Sequence, residues 1–312
     1  MTQLRTPLAL SLVAVLAACG DSSDTNPSEP TQNVVQLAQG NPDLSILVEA
    51  VVAADLAGTL SGPGPFTVFA PTNAAFASLL GELGVTKADL LANKPLLTAV
   101  LQYHVLGAQV LKAQIPIGKA VSPLAGGIFK IDAAGADAVI TDGRNRTARI
   151  VATDVLATNG VVHVIDRVIL PADKNLVQTA QSLPDFSILV EAVVAAGLAP
   201  TLSGPGPFTV FAPTNAAFAA LLGELGVTKD QLLADTSLLT AVLTYHVIGA
   251  RVLKADVVPG IQPATVQGET FSISPTLAIT DRRSRTSNIV ATDVITSNGI
   301  IHVIDHVILP SP

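Results

Sequence analysis

The chain is short of cysteine, aromatic side chains and charge, and each shortage excludes something. Its 312 residues hold one cysteine, Cys19, so no internal disulfide can form. There is no tryptophan and there are only two tyrosines, which leaves the stacking platforms that bases and sugar rings need nearly unavailable. Charged residues make up 13% of the chain and the net charge is −7. A generally basic face for nucleic acid is therefore missing, as are a zinc knuckle, a P-loop and a dinucleotide glycine motif. There is no Gly-x-Ser-x-Gly elbow and no nucleophile–His–acid arrangement, so an envelope hydrolase is the weakest class. What is abundant is apolar, at 49% of residues, enough for real cores in a length that suits about two domains.

The single cysteine closes an N-terminal stretch, MTQLRTPLALSLVAVLAACG, in which Arg5 precedes an apolar run from Leu8 to Ala18. Residues 1–18 have the pattern of a secretory signal peptide. The apolar run of roughly 11 residues is short of the ~20 that a membrane-spanning helix needs. Leu16-Ala17-Ala18-Cys19 resembles a bacterial lipobox, which implies cleavage before Cys19 and lipidation of that residue. Several acyl chains give stable anchoring; an ordinary signal peptide with a stray cysteine is the alternative. Gly20 stands where an aspartate would retain the protein at the inner membrane, so the expected address is the outer membrane or cell surface. Residues 19–32, rich in Ser, Pro and Asp, read as a flexible tether.

Beyond the tether the chain repeats itself. SGPGPFTVFAPTNAAF occupies residues 61–76 and, unchanged, residues 203–218. LLTAVLQYHVLGAQVLKA from Leu96 matches LLTAVLTYHVIGARVLKA from Leu238, and IVATDVLATNGVVHVIDRVILP from Ile150 matches IVATDVITSNGIIHVIDHVILP from Ile289. The period is too long for a solenoid and implies a duplicated domain, residues 33–171 and 172–312. Only Ala172, Asp173 and Lys174 separate the matched segments, a connection short enough to hold the two units in contact.

Within each unit, SILVEAVVAADL has helical spacing of its apolar residues, and GPGP is a turn. FTVFA is a short strand, and Thr72 or Asn73 can cap the helix that follows. LLTAVLQYHV runs from helix into strand. The last third is strand-rich, with Asn159-Gly160 and Asn298-Gly299 between β-branched runs as hairpin turns. Helices first and strands after give an α+β class.

FTVFAPTNAAF, then Tyr-His-Val, then NGVVHVIDRVILP, in this order and twice over, resemble the fasciclin domain family. The resemblance covers essentially the whole chain beyond the tether. It implies two tandem domains, each a wedge-shaped seven-stranded β-sandwich flanked by helices. It also implies secreted or lipid-anchored proteins associated with adhesion between cells or to extracellular matrix. The repeated FTVFAPTNAAF matches the family's first motif, which is structural; its hydroxyls, one amide and three phenylalanines suit a turn, a cap and a core.

No cofactor or metal is expected. Each unit holds two matched histidines, no cysteine and few neighbouring carboxylates. His163 and Asp166, like His302 and Asp305, stand three apart on an expected strand and so on opposite faces. These histidines read as half-buried residues meeting local hydrogen bonds. The candidate partner-binding residues are Tyr103 and His104 with Tyr245 and His246, and Asp154 and Val155 with Asp293 and Val294. The resemblance implies integrin contact for both pairs in some animal relatives. The Tyr-His pair equally fits an anchor for the helix-to-strand transition. The Asp-Val pair has Val where the family motif has Ile, and its carboxylate equally fits a backbone acceptor beside the hairpin. The candidate anion-binding residues are Arg144, Arg146 and Arg149 with Arg282, Arg283 and Arg285, six of the nine arginines, in two matched loops. Arginine's planar fork suits carboxylate, sulfate or phosphate; a solvated hairpin loop with edge-protecting charge is the alternative.

Together these features lead us to expect a non-catalytic surface adhesion or scaffolding protein, with a role in attachment such as biofilm formation. Its partners would be extracellular matrix, anionic polysaccharide or a surface protein, with the membrane met through the lipid anchor and no nucleic acid bound. The alternative is an envelope ligand-binding protein with a pocket at the domain junction.

Overall fold

A computed structural model describes residues 29–312 apart from Ala136 and Ile261. The expected signal peptide, Cys19 and most of the tether lie outside the described residues.

The first repeat runs α1 (Val34–Gln39), α2 (Ser45–Ala53), α3 (Ala57–Ser61), β1 (Phe66–Pro71), α4 (Asn73–Leu83), α5 (Lys87–Ala92) and α6 (Lys94–Tyr103). The strands β2 (Val105–Leu106), β3 (Ala120–Val121), β4 (Phe129–Ala134), β5 (Asp137–Thr141), β6 (Thr147–Ala157) and β7 (Gly160–Ile165) follow. The second repeat retraces this order with α7 (Leu176–Gln181), α8 (Ser187–Ala195), α9 (Ala199–Ser203), β8 (Phe208–Pro213), α10 (Asn215–Leu225), α11 (Lys229–Ala234) and α12 (Thr236–Tyr245). It ends in β9 (Val247–Ile248), β10 (Ser272–Ile273), β11 (Ala278–Thr280), β12 (Thr286–Ile295) and β13 (Gly299–Ile304).

Strand β1 lies second from one edge of the first sheet, whose order is β2-β1-β7-β6-β5-β4-β3. It pairs parallel with β7, residue for residue from Phe66↔Gly160 to Pro71↔Ile165. A strand covered on both faces needs an unbroken apolar run, which is why FTVFA does not alternate. Val68 and Ala70 face the helices, while Phe69 faces a second core with Tyr103, Phe129, Ile140 and Ile165. Phe69 and Phe129 meet edge to face at 5.4 Å. Strand β6 shifts register twice between Ile150 and Val155. Such bulges bend a strand, so one half of β6 pairs with β5 and the other with β7. The expected sandwich is therefore one sheet curled around its own core, with β6 serving both layers. The second sheet has six strands, β10-β11-β12-β13-β8-β9. Where the first has β3, the second keeps only the bridge Ala264↔Thr270.

The verbatim repeat and the Asn-Gly turn hold each other. Asn159 donates to the carbonyls of Leu60 at 2.9 Å and Gly62 at 2.8 Å, and accepts from Val34 N at 3.0 Å. The backbones touch so closely that a Cβ on Gly64 would sit 1.9 Å from the Asn159 carbonyl oxygen, and one on Gly160 would sit 2.1 Å from that of Phe66. Asn298 makes the same three bonds in the second repeat. Thr72 caps α4 by accepting from Ala75 N. Asn73 reaches back to accept from Ile46 N at 2.9 Å, tying α4 to the start of α2. Among the described residues no helix is long and apolar enough to cross a membrane.

Candidate functional site

The Tyr-His pairs are interior. Helix α6 ends at Tyr103, and its apolar stripe of Leu97, Val100 and Leu101 turns both residues inward. Tyr103 is 0% exposed and His104 2%. The Tyr103 hydroxyl donates to the Ile128 carbonyl. His104 Nδ1 donates to the Val100 carbonyl at 2.7 Å, which leaves Nε2 to accept from Ile169 N at 3.1 Å. Burial holds the His104 ring at about 4, well below the ordinary histidine value, against a partial lift from the Val100 carbonyl and Asp142. Burial, helped by the Asp142 charge, pushes the Tyr103 hydroxyl up. Tyr245 and His246 repeat the arrangement, with His246 also at about 4 and Tyr245 at about 12, burial being the leading cause of both. These four side chains pin the C-terminal segment of each domain to its helix and present no surface to a partner.

The Asp-Val pairs sit on the bulges of β6 and β12. Asp154 has φ 59° and Asp293 φ 62°, a left-handed backbone that aspartate tolerates better than most residues. Each backbone N–H donates to a buried histidine, His163 or His302. Those histidines donate hydrogen bonds from Nε2 to the carbonyls of Val110 and Val252, both at 2.9 Å. They are buried within the fold rather than half-buried. Each aspartate also accepts a backbone N–H, from Lys112 at 2.8 Å or Lys254 at 2.7 Å.

There the likeness ends. Asp154 is exposed, and Val155 beside it is 39% exposed. Asp293 is 4% exposed because the first domain covers it. Lys130 donates to its Oδ2 at 2.9 Å. Asn145 grips the neighbouring Ile295 by main chain alone, donating to its carbonyl at 3.0 Å and accepting from its N–H at 2.7 Å. Ile128 packs with Leu253, Ile295 and Ile300 in an apolar cluster shared by both domains. Asp293 thus serves the junction and Val294 packs against the second domain's own core, which corrects the expectation that they face an outside partner.

The arginine loops are largely engaged within the chain. Arg146 donates twice to Asp142, once to Glu82 and once to the Val168 carbonyl. Asp142, 1% exposed, also takes the backbone N–H groups of Arg144, Arg146 and Leu170. Arg285 pairs with Glu224 at 2.8 Å, Arg144 with Asp173 at 3.1 Å and Arg282 with Glu269 at 3.5 Å. Arg283 donates to the Pro310 carbonyl. Arg149 is exposed, with only its backbone tied, to Asp166. The six guanidinium groups do not converge on one point.

A cleft of about 470 Å³ opens beside the junction, lined by Arg144, Asn145, Asp173, Lys174 and Val294 among others. The linker passes so near that a Cβ on Gly143 would lie 2.2 Å from Ala172 N; the matched position in the second loop is Arg282. Among the described residues no group of three or more His, Cys, Asp or Glu side chains could hold a metal ion. Lys130 and Asn145 were not legible as junction residues. Their signal was a mismatch between repeats, since Ser272 and Ser284 stand in their places.

Residues 42–171 and 184–310 each match the Fasciclin domain, and the chain belongs to that family as two tandem domains. It is 32% identical over 253 residues to the transforming growth factor-beta-induced protein ig-h3 of Sus scrofa, covering 80% of this chain and 35% of the relative. Periostin of Homo sapiens is 29% identical over 262 residues, covering 83% and 30%. Protein sll1483 of Synechocystis sp. is 43% identical over 147 residues, covering 46% of this chain and 76% of its own length. The chain thus spans about a third of the length of the first two. Among solved structures, a FAS1 domain pair from the insect cell adhesion molecule Fasciclin I aligns with a TM-score of 0.43 at 20% identity, covering 86% of this chain and 98% of that one.

Proposed function

We propose that this protein is a surface adhesion or scaffolding protein that works by binding, held at the envelope by a lipid on Cys19. Family membership supports the general role. The observation that carries it for this chain is the contrast between buried histidines and an exposed ridge. The four matched histidines have both ring nitrogens committed to main-chain partners, which leaves none free as a base or ligand. Strand β6 exposes Val151 at 57%, Val155 at 39% and Leu156 at 48%, on either side of Asp154, and apolar exposure gathered on one strand is what an interaction surface offers. Extracellular matrix, anionic polysaccharide and surface proteins are the partner classes, with Arg149 the least engaged of the arginines. Two domains on one tether add avidity where both engage.

Deleting the gene and scoring surface attachment and biofilm formation tests this reading. Attachment falls in the deletion strain and returns with the intact chain; normal attachment in the deletion strain would count against it. Replacing all six arginines with Gln and measuring adhesion to an anionic polymer against salt tests the anionic partner. A second reading, a small ligand held in the cleft at the junction, draws on its 470 Å³ volume and its Arg144 and Lys174 lining. Native mass spectrometry of the purified protein checks it through co-purifying mass.

A further inference from the structure

Each domain carries a surface built to one plan, and only one of the two is covered. In the second domain Leu253, Asp293 and Ile295 are 0%, 4% and 2% exposed, with Ile128, Lys130 and Asn145 of the first domain lying on them. The matching residues of the first domain are Leu111, Asp154 and Leu156. Leu111 is half-buried, Asp154 is exposed and Leu156 is 48% exposed. The construction beneath is the same in both: a left-handed aspartate on a bulge, its carboxylate on a lysine backbone N–H, its own N–H on a buried histidine. Among the described residues no cation pairs with Asp154 and no carboxamide meets the main chain of Leu156, whereas Asp293 and Ile295 have both.

The chain itself therefore displays what such a surface accepts: an ammonium on the carboxylate, a carboxamide on the main chain two residues on, and an apolar side chain beside them. Charge complementarity around an apolar centre is what fixes partner and register at interfaces. We propose that the Leu111–Asp154–Leu156 surface is the docking site for a fasciclin-type domain of another polypeptide. That domain would carry a lysine, an asparagine and an apolar residue at the places of Lys130, Asn145 and Ile128. The proposal rests on the binding reading above and names the kind of partner. Another molecule of this chain does not fit the role. Its Lys130 is closed on its own Asp293, with the side chain 13% exposed, and its second domain has Thr270, Ser272 and Ser284 in the three places. Residues 1–28 contain no lysine to supply the ammonium.

The test grafts the three residues onto the second domain of the full chain as Thr270→Ile, Ser272→Lys and Ser284→Asn. Ser284 has φ 60° and Asn145 φ 61°, so asparagine suits the backbone already there. The second domain of one molecule then matches the first domain of the next, a heterologous contact that propagates head to tail. In sedimentation equilibrium the weight-average mass rises with concentration for the grafted chain, and adding Asp154→Lys returns it to that of the unsubstituted chain. The double variant Ser272→Lys with Ser284→Asn, which keeps the Thr270 bond to Gln262, behaves the same way with weaker association. Failure of both grafted chains to associate overturns the proposal, as does association that survives Asp154→Lys. Assembly that appears only after residues 1–28 are removed assigns the surface to this chain's own N-terminal segment, and also overturns it. No attachment assay enters, so failure here leaves the adhesion reading standing.

Discussion

Asp154 and Asp293 occupy the same bulge in the same fold and live in different surroundings. One faces solvent across an apolar ridge; the other holds the lysine of a neighbouring domain. The difference lies in what is set against the loop and not in the loop, because the local bonds to His163 and His302 and to the two lysine N–H groups are alike. A repeated motif is thus no guide to a repeated role once the domains touch.

The largest effect separates the two domains. Gly64→Ala places a methyl group where the Asn159 carbonyl already sits, 1.9 Å away. It should cost on the order of 4 kcal/mol or more and abolish the first of two calorimetric transitions while the second persists. Gly206→Ala should do the converse, since its Cβ meets Asn298 at the same 1.9 Å. Next comes a change that should reach both domains, and the second somewhat more because burial also lowers His302. His104 and His246 titrate near 4 when folded against 6.5 for the free side chain. The unfolded chain then takes up protons first, so stability falls as pH drops from about 6.5 to about 4, by roughly 3 kcal/mol per domain. Urea melts across this range check it; a flat profile would contradict the burial of these rings.

A third comparison bears on the junction. Asp293→Asn leaves Lys130 without its main counter-charge and should destabilise the chain by about 1–3 kcal/mol, while Asp154→Asn, in solvent, should stay within about 0.5 kcal/mol. Equal effects would mean the junction is not formed in solution. On the same scale as Asp293→Asn is Asn145→Ala, which removes both bonds to the buried Ile295, puts alanine at a φ of 61° and should cost about 1–3 kcal/mol. It is best seen as a broader distance distribution between the domains in small-angle scattering.

Much of this was legible in the residues. The FTVFA run marked a short strand, the Asn-Gly turn gave the β6–β7 hairpin, and the Tyr-His pair at a helix end fitted an anchor. The junction was not legible. Lys130 meets an aspartate 163 residues away, and neither partner's local sequence differs from that of a solvated charge. The sheet's curl was hidden for a related reason, because one aspartate inside a strand pattern, Asp154, does not by itself mark a bulge, which shows only in the pairing. The arginine loops looked like free positive charge because their partners, Asp142 excepted, come from distant segments such as Glu82 and Glu224.

Both hydrogen bonds that Asn145 makes to the second domain run to the main chain of Ile295, one to its carbonyl and one from its N–H. The part of the joint that is written on peptide groups tolerates drift in the side chain it holds, provided the bulge keeps its shape; the ion pair and the apolar cluster beside it do not. Fasciclin units of diverged sequence could then be strung together without redesigning each seam, so long as every incoming unit brings its own clasp.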